Sequence, residues 1–466
     1  MEEFHSFYFD SMGREPVADD FTLPRDTEMS PELLESLIED HRRNHVPRYR
    51  RLKWAYENKC KVFSRAPKDP WKPDNRLGVP LPKYICDTFN GYFIGNPVDY
   101  RSSNGEAQAW VRRYNVRNNQ EDVDAELSKA ASKFGRACEH FYRDGDGLPR
   151  SAWLTPMCSF VVYDDTAEKL PMYGVFYAYD EEGVLSGFFE DASCKTPFSK
   201  RDAGEASFGK PDPHFFAELP WVEYSENSEK TGVYEGVLNL IDAYNKGISE
   251  KGDDVEYFGD SYMALLGADL DEDDVKTIRA NRVINFSGPD SERLQAFFLS
   301  KPDSDNLQEH YLDRLEELIF KTAMVVDVSK DNLGTSSGVA IQYRMKPMSD
   351  LAKTKERKFV ASIRRRLRIL EGFPNTPLRN GDYLDFEISM HRNMPADVQS
   401  EAQTAAALSG VVSEETQLSV LSIVQDPVAE IDRKNREQDE RAEALAYPTN
   451  RTEVQHEGGG DVPQGS

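Results

Sequence analysis

Apolar positions along the chain change period several times, and each change predicts a new element. Ser30-Pro31-Glu32 sets a hydroxyl residue before Pro, and Leu33, Leu34, Leu37 and Ile38 follow at helical spacing, so a helix opens there. Pro47 should kink or restart it. Leu81, Tyr84, Ile85, Thr88, Phe89, Tyr92 and Phe93 line one face of a second helix, which Gly95-Asn96-Pro97 stops. From about residue 120 to 225 the pattern becomes helix followed by short aromatic-rich strands, Phe160 to Tyr163, Tyr173 to Tyr179 and Phe188 to Glu190. Asp144-Gly145-Asp146-Gly147 marks a turn, and the region reads as α+β.

Residues 232–266 read as one very long helix, with Val237, Leu238, Ile241, Tyr244, Ile248, Val255, Phe258, Tyr262 and Leu265 apolar. At ~1.5 Å per residue it would span on the order of 50 Å, too long for an ordinary compact domain. Gly247, Gly252 and Gly259 each cost about 1 kcal/mol of helix propensity, so tertiary or intersubunit packing is expected, with a break near Gly252 as the alternative. The pattern predicts strands at Val283 to Phe286 and Leu294 to Phe298, then another helix carrying Leu307, Tyr311, Leu312, Leu315, Leu318 and Ile319. Two helices bracketing a small unit suggest a stalk with a tip. After the polar stretch Asp327 to Gly338, a helical pattern runs from Val339 to Leu370. Alternation over Tyr383 to His391 predicts a half-buried strand. Three short helices then fit residues 396–445, separated at Gly410 and Asp426-Pro427, and the Gly-rich end beyond Tyr447 has the composition of disorder. No internal repeat is evident.

Charge changes this picture. The 466 residues hold 57 Lys+Arg against 82 Asp+Glu, a net charge of −25, which argues against a general duplex-DNA binder with a basic surface. The length allows about three domains, and the 39% hydrophobic content supports a core. The first twenty residues lack a signal pattern and no stretch approaches ~18 apolar residues, so neither secretion nor membrane insertion is expected. The five cysteines form no CxxC pair and read as reduced, packed thiols of a cytoplasmic protein.

Candidate chemistry mostly fails on its own terms. Gly204 to Lys210 follows a phosphate-loop pattern up to its last position, where Pro211 replaces the required Ser or Thr. Asp269 to Asp273 begins like a calcium loop, but Asp274 and Ala280 stand where Gly and Glu are needed. His41 and His45 share a helical face without a third ligand. No GxSxG elbow or Cys/His nucleophile pair appears, although a metal-dependent nuclease could draw its acids from distant positions. The exception is a local reversal of sign: Lys346, Lys353, Lys355, Arg357, Lys358, Arg364, Arg365, Arg366 and Arg368 cluster on the helix after Gly338, spread over more than one face. They read either as a solvated or intersubunit face paired with carboxylates or as phosphate contacts.

Collinear segments carry a resemblance. They are Asn75-Arg76 and the run Lys83 to Pro97 (KYICDTFNGYFIGNP), then Asp253-Asp254-Val255-Glu256-Tyr257-Phe258 and Tyr311-Leu312-Asp313-Arg314-Leu315. Ser336-Ser337-Gly338-Val339-Ala340-Ile341-Gln342-Tyr343 follows, then Lys355-Glu356-Arg357-Lys358-Phe359 leading into Arg364-Arg365-Arg366-Leu367, and finally Leu408 to Thr416 (LSGVVSEET). In this order they resemble the bacteriophage portal proteins, the head-to-tail connectors of tailed phages with long non-contractile tails. Cys86, where an aliphatic residue is usual, and Val326, where a proline commonly stands, are departures. The first 25 and last 20 or so residues lie outside the resemblance.

The resemblance implies an α+β, predominantly helical subunit that assembles into a cyclic ring of twelve at one capsid vertex. After an acidic N-terminal segment (1–29), it implies a wing (30–230), a stem helix (231–267), a clip (268–304), a second stem helix (305–325) and a tunnel loop (326–338). A tunnel helix with a wing strand (339–394), crown helices (395–446) and a tail (447–466) complete the map. Lys330, Asp331, Asn332, Gly334, Thr335 and Ser336 would project toward a DNA channel, with Lys346 and Lys353 adding a basic ring; the bland reading of 326–338 is an ordinary interhelical turn. The implied partners are further copies of the chain, double-stranded DNA, terminase, scaffold, the major capsid protein and a head-tail adaptor. Clip residues 268–304 are the implied docking surface for terminase and adaptor. No cofactor, membrane or catalytic role is implied, and ATP hydrolysis would belong to the terminase. The implied location is the virion's portal vertex, with assembly in the host cytoplasm. A collar or adaptor protein, or a metal-dependent DNA-processing enzyme, are the alternatives.

Overall fold

The Ser30 hydroxyl accepts from the Leu33 amide at 3.2 Å and caps helix α1 (Pro31–Asp40), whose first residue is the proline that needs no amide partner. These features belong to a computed structural model that describes residues 20–70, 72–200, 204–259, 263–266, 295–298, 305–327, 338–379, 381–393, 398–424 and 426–446. Strand β1 (Phe21–Leu23) precedes α1, and a π-helical turn over His41–His45 follows it. The chain then restarts as α2 (Val46–Tyr56), with Pro47 in the first turn, so the proline marks a restart as expected. Helix α3 (Leu81–Ile94) ends at Gly95 and buries Leu81, Ile85, Phe89, Tyr92 and Phe93, the face its periodicity predicts. Strand β2 (Asp99–Arg101) and helices α4 (Gly105–Asn118) and α5 (Gln120–Phe134) lead into the sheets.

Nine strands follow: β3 (Arg136–Arg143), β4 (Pro149–Leu154), β5 (Ser159–Asp164), β6 (Pro171–Tyr179), β7 (Leu185–Glu190), β8 (Cys194–Lys200), β9 (Ser207–Phe208), β10 (Asp212–Pro213) and β11 (Trp221–Ser225). A seven-stranded sheet has the order β1-β5-β6-β7-β8-β10, with β9 also on β8, and a second sheet has the order β11-β3-β4. All pairings in these sheets are antiparallel except β1 on β5, where Phe21 stands beside Val162. Alternation along the strands gives the large sheet two apolar faces. One packs Phe160, Val162, Val175 and Tyr177 under Leu34, Leu37 and Ile38 of α1, and the other sets Val161 and Phe188 against Trp221 and Cys138 of the smaller sheet. Gly174 permits that second contact: a Cβ there would lie 2.3 Å from the Trp221 indole. The near-phosphate loop Gly204 to Lys210 contains edge strand β9 and has no helix start behind it.

After a 3₁₀ turn at Glu235–Val237, α6 (Leu238–Gly259) forms the first long helix. The periodicity overstates its length: the helix ends at Gly259, and β12 (Met263–Leu266) pairs antiparallel with β13 (Gln295–Phe298), a partner that local spacing cannot reveal. It does not break at Gly252. Instead Gly247 and Gly252 allow close approach, since a Cβ would lie 2.9 Å from Leu312 at the first and 3.2 Å from Leu77 at the second. Leu312 belongs to α7 (Asp305–Ala323), which packs along α6. Val283 to Phe286 and Asp269 to Asp273 lie outside the described residues.

Helix α8 (Gly338–Glu371) is the longest described and contains Pro347. The strand expected over 383–391 is shorter, and its first half is wrong. Residues Asp382–Asp385 form a helical turn, α9, and only Glu387–Ser389, β14, pairs with β2. Gly381 at φ +103° and the Glu371 carboxylate, which accepts from the Gly381 and Asp382 amides at 2.8 and 2.9 Å, start that turn. Leu384 is accordingly 61% exposed instead of facing a core.

Residues 338–339 and the described residues between 398 and 446 form a second compact unit, distinct from the unit formed by the other described residues. Its described helices are α10 (Val398–Leu408), α11 (Glu414–Ser419) and α12 (Pro427–Ala446), separated where Gly410 and Asp426-Pro427 predict. Gln417 on α11 donates to the Ala405 carbonyl at 2.9 Å, and Lys434 on α12 pairs with Glu414. The tail beyond residue 446 lies outside the described residues. Among the described residues no helix is long and apolar enough to cross a membrane. All five cysteines are free, with burial pushing the Cys86 and Cys138 thiols up to about 12.

Candidate nucleic-acid interface

At ~100° per residue, the positions of α8 divide into two nearly opposite faces. Met348, Ala352, Lys355, Phe359, Ile363, Arg366 and Leu370 are buried, whereas Lys346, Lys353, Arg357 and Arg368 are exposed and Arg364 is half-buried. The basic run is therefore sorted by rotation. Two of its cations anchor the helix and others face away.

Lys355 is 0% exposed. Its Nζ donates to the Ser128 carbonyl at 2.9 Å and the Ser132 hydroxyl at 2.6 Å, and lies 2.8 Å from Glu226 Oε2. The Phe93 ring centroid is 4.7 Å away. Burial pushes the Lys355 pKa below its ordinary value, with Glu226 opposing. About three turns on, the 1% exposed Arg366 donates through Nε to Glu139 at 2.9 Å and through Nη2 to the Tyr224 hydroxyl at 2.7 Å. It also bonds both oxygens of Asp124 and the Tyr100 hydroxyl. Burial opposes this charge, but Asp124 and Glu139 outweigh it and hold the guanidinium well above its usual pKa. Asp124, Ser128 and Ser132 recur every fourth residue on α5, so one helix face supplies partners to both cations. Arg365 and Arg368 share Glu218 at 3.3 and 3.0 Å.

The outer face is less neutralised. Lys346 pairs with Asp350 one turn on. Among the described residues, Lys353 and Arg364 have no carboxylate at ion-pair distance, and Arg357 bonds only the Thr354 hydroxyl, at 3.4 Å. Of the sequence-predicted site residues, Lys346 and Lys353 thus stand on one exposed face, joined by Arg357 and Arg364. Lys330, Asp331, Asn332, Gly334, Thr335 and Ser336 lie outside the described residues. What the arrangement offers chemically is a rigidly backed row of cations suited to phosphate oxygens, in a chain otherwise rich in carboxylates.

Comparison with known proteins decides the family. Residues 35–444 match the model of the family described as "Phage portal protein, SPP1 Gp6-like". The chain belongs to this family. The portal protein of Bacillus phage SPP1 is 24% identical over 405 residues, covering 80% of this chain and 78% of that relative. A solved structure titled "Neck of empty GTA particle computed with C6 symmetry" aligns with a TM-score of 0.43 and 12% identity, covering 74% of this chain and 90% of that one. The portal family is one of head-to-tail connectors of bacteriophages, structural proteins and not enzymes, and the α+β subunit described above is of the portal type.

Within this portal subunit, the segments that carry the family resemblance meet one another. The Asn75 amide donates to Asp253 Oδ1 at 2.5 Å, and the Asn75 side chain donates to Glu256 at 2.8 Å. Ser249 and Asn245, one and two turns before Asp253 on α6, accept from the Leu77 and Val79 amides, both at 2.9 Å. The extended segment 75–79 is thereby strapped along the helix, satisfying amides that no sheet pairs. Likewise Phe359 meets Phe93 edge-on at 5.6 Å, and Glu356 pairs with Arg392. The counterions Asp124, Glu139 and Glu226 escape sequence reasoning because nothing in their own neighbourhoods marks them; only the 124/128/132 polar spacing on α5 hints at a buried seam. His41 and His45 are both buried, and His41 Nδ1 lies 2.8 Å from the Tyr177 hydroxyl. Burial, then the neighbouring His45, pushes His41 down to about 3. Among the described residues no cluster could hold a metal ion.

Proposed function

We propose that the protein forms a homododecameric portal ring at a unique capsid vertex, the channel for double-stranded DNA during packaging and ejection and the platform for terminase and the head-tail adaptor. The observation that carries the DNA part of this reading is the two-faced helix α8, clamped by Lys355 and Arg366 on one side and bearing Lys353, Arg357 and Arg364 on the other. A net charge of −25 fits a channel that lets DNA slide, because attraction is then confined to a narrow zone. Lys353 leads the basic ring in this reading, with Lys346 weakened by its Asp350 partner. The segment 326–338, with Lys330, Asp331, Asn332, Gly334, Thr335 and Ser336, is the tunnel loop between the second stem helix and the tunnel helix.

The same reading takes 30–230 as wing, α6 and α7 as stem, 268–304 as the clip that meets terminase and adaptor, and 395–446 as crown. Scaffold and major capsid protein are the partners during assembly in the host cytoplasm. The test combines light scattering and negative-stain imaging of the purified protein with DNA binding at several salt concentrations. Rings of about a dozen subunits whose Lys353→Ala/Arg357→Ala/Arg364→Ala variant loses roughly 0.9 of salt slope per removed phosphate contact would support it. A closed dimer would overturn the channel, and an unchanged salt slope would remove this helix face from the DNA contact.

A further inference from the structure

The chain has a second concentration of positive charge, away from α8. Arg48, Arg50, Arg51 and Lys53 all lie on α2, immediately after Arg42 and Arg43 in the π turn. The helix turns Val46, Tyr49 and Leu52 inward, and Arg48 is occupied by Glu235 at 2.7 Å. Arg50, Arg51 and Trp54 face outward. Trp54 is 49% exposed, and among the described residues neither arginine has a carboxylate at ion-pair distance.

In a chain with 82 acidic residues, two neighbouring exposed arginines without a carboxylate partner stand beside a half-exposed indole, a local cationic patch that attracts a polyanionic surface. Two kinds of polyanion could answer. A duplex phosphate backbone would take both arginines but presents no apolar surface to cover the indole. Arginine with tryptophan is instead the composition of protein-interface hot spots, where a flat cation meets carboxylates while an aromatic excludes water. The charge arithmetic names the protein. Copies that each carry −25 repel as they approach, so a stable contact between them has to set cations against carboxylates.

We infer that the Arg50-Arg51-Trp54 face of α2 is one half of the contact between adjacent copies of this chain, seated on an acidic face of the neighbour. The inference rests on the ring reading above. A ring contact is heterologous, the two sides being different surfaces, so an unpaired basic face on every copy finds its complement on the next and the cycle closes.

The experiment uses the full chain in two forms. Arg50→Glu/Arg51→Glu should raise the concentration needed for half-assembly by about tenfold or more, with an unchanged far-ultraviolet circular dichroism spectrum. In an otherwise unaltered chain, a benzophenone amino acid at position 54 should cross-link, on illumination, to an Asp- or Glu-rich peptide of a second copy. Wild-type assembly of the charge-reversed variant, or a cross-link formed only to added duplex DNA, would overturn the inference and leave the ring standing. Absence of rings from the wild-type protein itself would bring down the ring reading and this inference with it.

Discussion

Lys355 and Lys353 are two residues apart on the same helix and differ completely in circumstance. One ammonium is sealed among Glu226, two serines and a phenylalanine ring; the other stands in water. Farther along the helix, Arg366 is buried among carboxylates while the half-buried Arg364 has none at ion-pair distance among the described residues. The difference teaches that a basic run is not one feature. A buried cation is held by partners whose own desolvation makes its removal costly, whereas an exposed one contributes a field and little stability. The buried pair gives α8 a fixed rotation against α5 and β3, and that rotation aims the outer cations together.

The harshest way to break this contrast is at Arg366. Arg366→Ala would leave Asp124 and Glu139 buried without a counterion, and the expected loss is ~3–5 kcal/mol, read as a lowered urea midpoint. A loss below about 1 kcal/mol would mean that the network is replaceable and that apolar packing alone orients the helix.

A buried group kept neutral sharpens the same point through pH. His41 titrates near 3 when folded against an ordinary 6.5, because burial and then His45 disfavour its charged form, with Arg136 adding a smaller push in the same sense. Between those values the unfolded chain binds a proton that the folded chain does not, so stability rises with pH across the window and is lost as pH falls through it. The expected loss from pH 6.5 to pH 4 is on the order of 3 kcal/mol. It should shrink in His41→Phe when urea unfolding is followed over that range, and an identical slope in the variant would assign the acid sensitivity elsewhere.

On the outer face the expected effect on folding is smallest. Lys353→Ala, Arg357→Ala and Arg364→Ala should each shift stability by no more than about 0.5 kcal/mol, measured by the same denaturation. A Lys353 or Arg364 change as large as that at Arg366 would show that the two faces are not distinct in kind.

Much of this architecture was legible from the chain alone, for identifiable reasons. The cap at Ser30, the restart at Pro47, the apolar face of α3 and the breaks at Gly410 and Asp426 depend on neighbours within a few residues, which spacing and side-chain chemistry report directly. The early end of α6 and the helical turn at Asp382 were not legible. The first depends on pairing with β13, and the second on a Glu371 carboxylate that reaches back to two amides.

The candidate site divides along the same line. Sequence determined that positive charge concentrates after Gly338 and that the ordered segments resemble a portal subunit, because composition and motif order need no coordinates. Only the tertiary structure decided which cations serve the fold and which are free for a partner. That choice rests on the rotation of α8 against α5 and on the positions of Asp124, Glu139 and Glu226, residues distant in sequence whose contact with Lys355 and Arg366 exists only once the chain is packed.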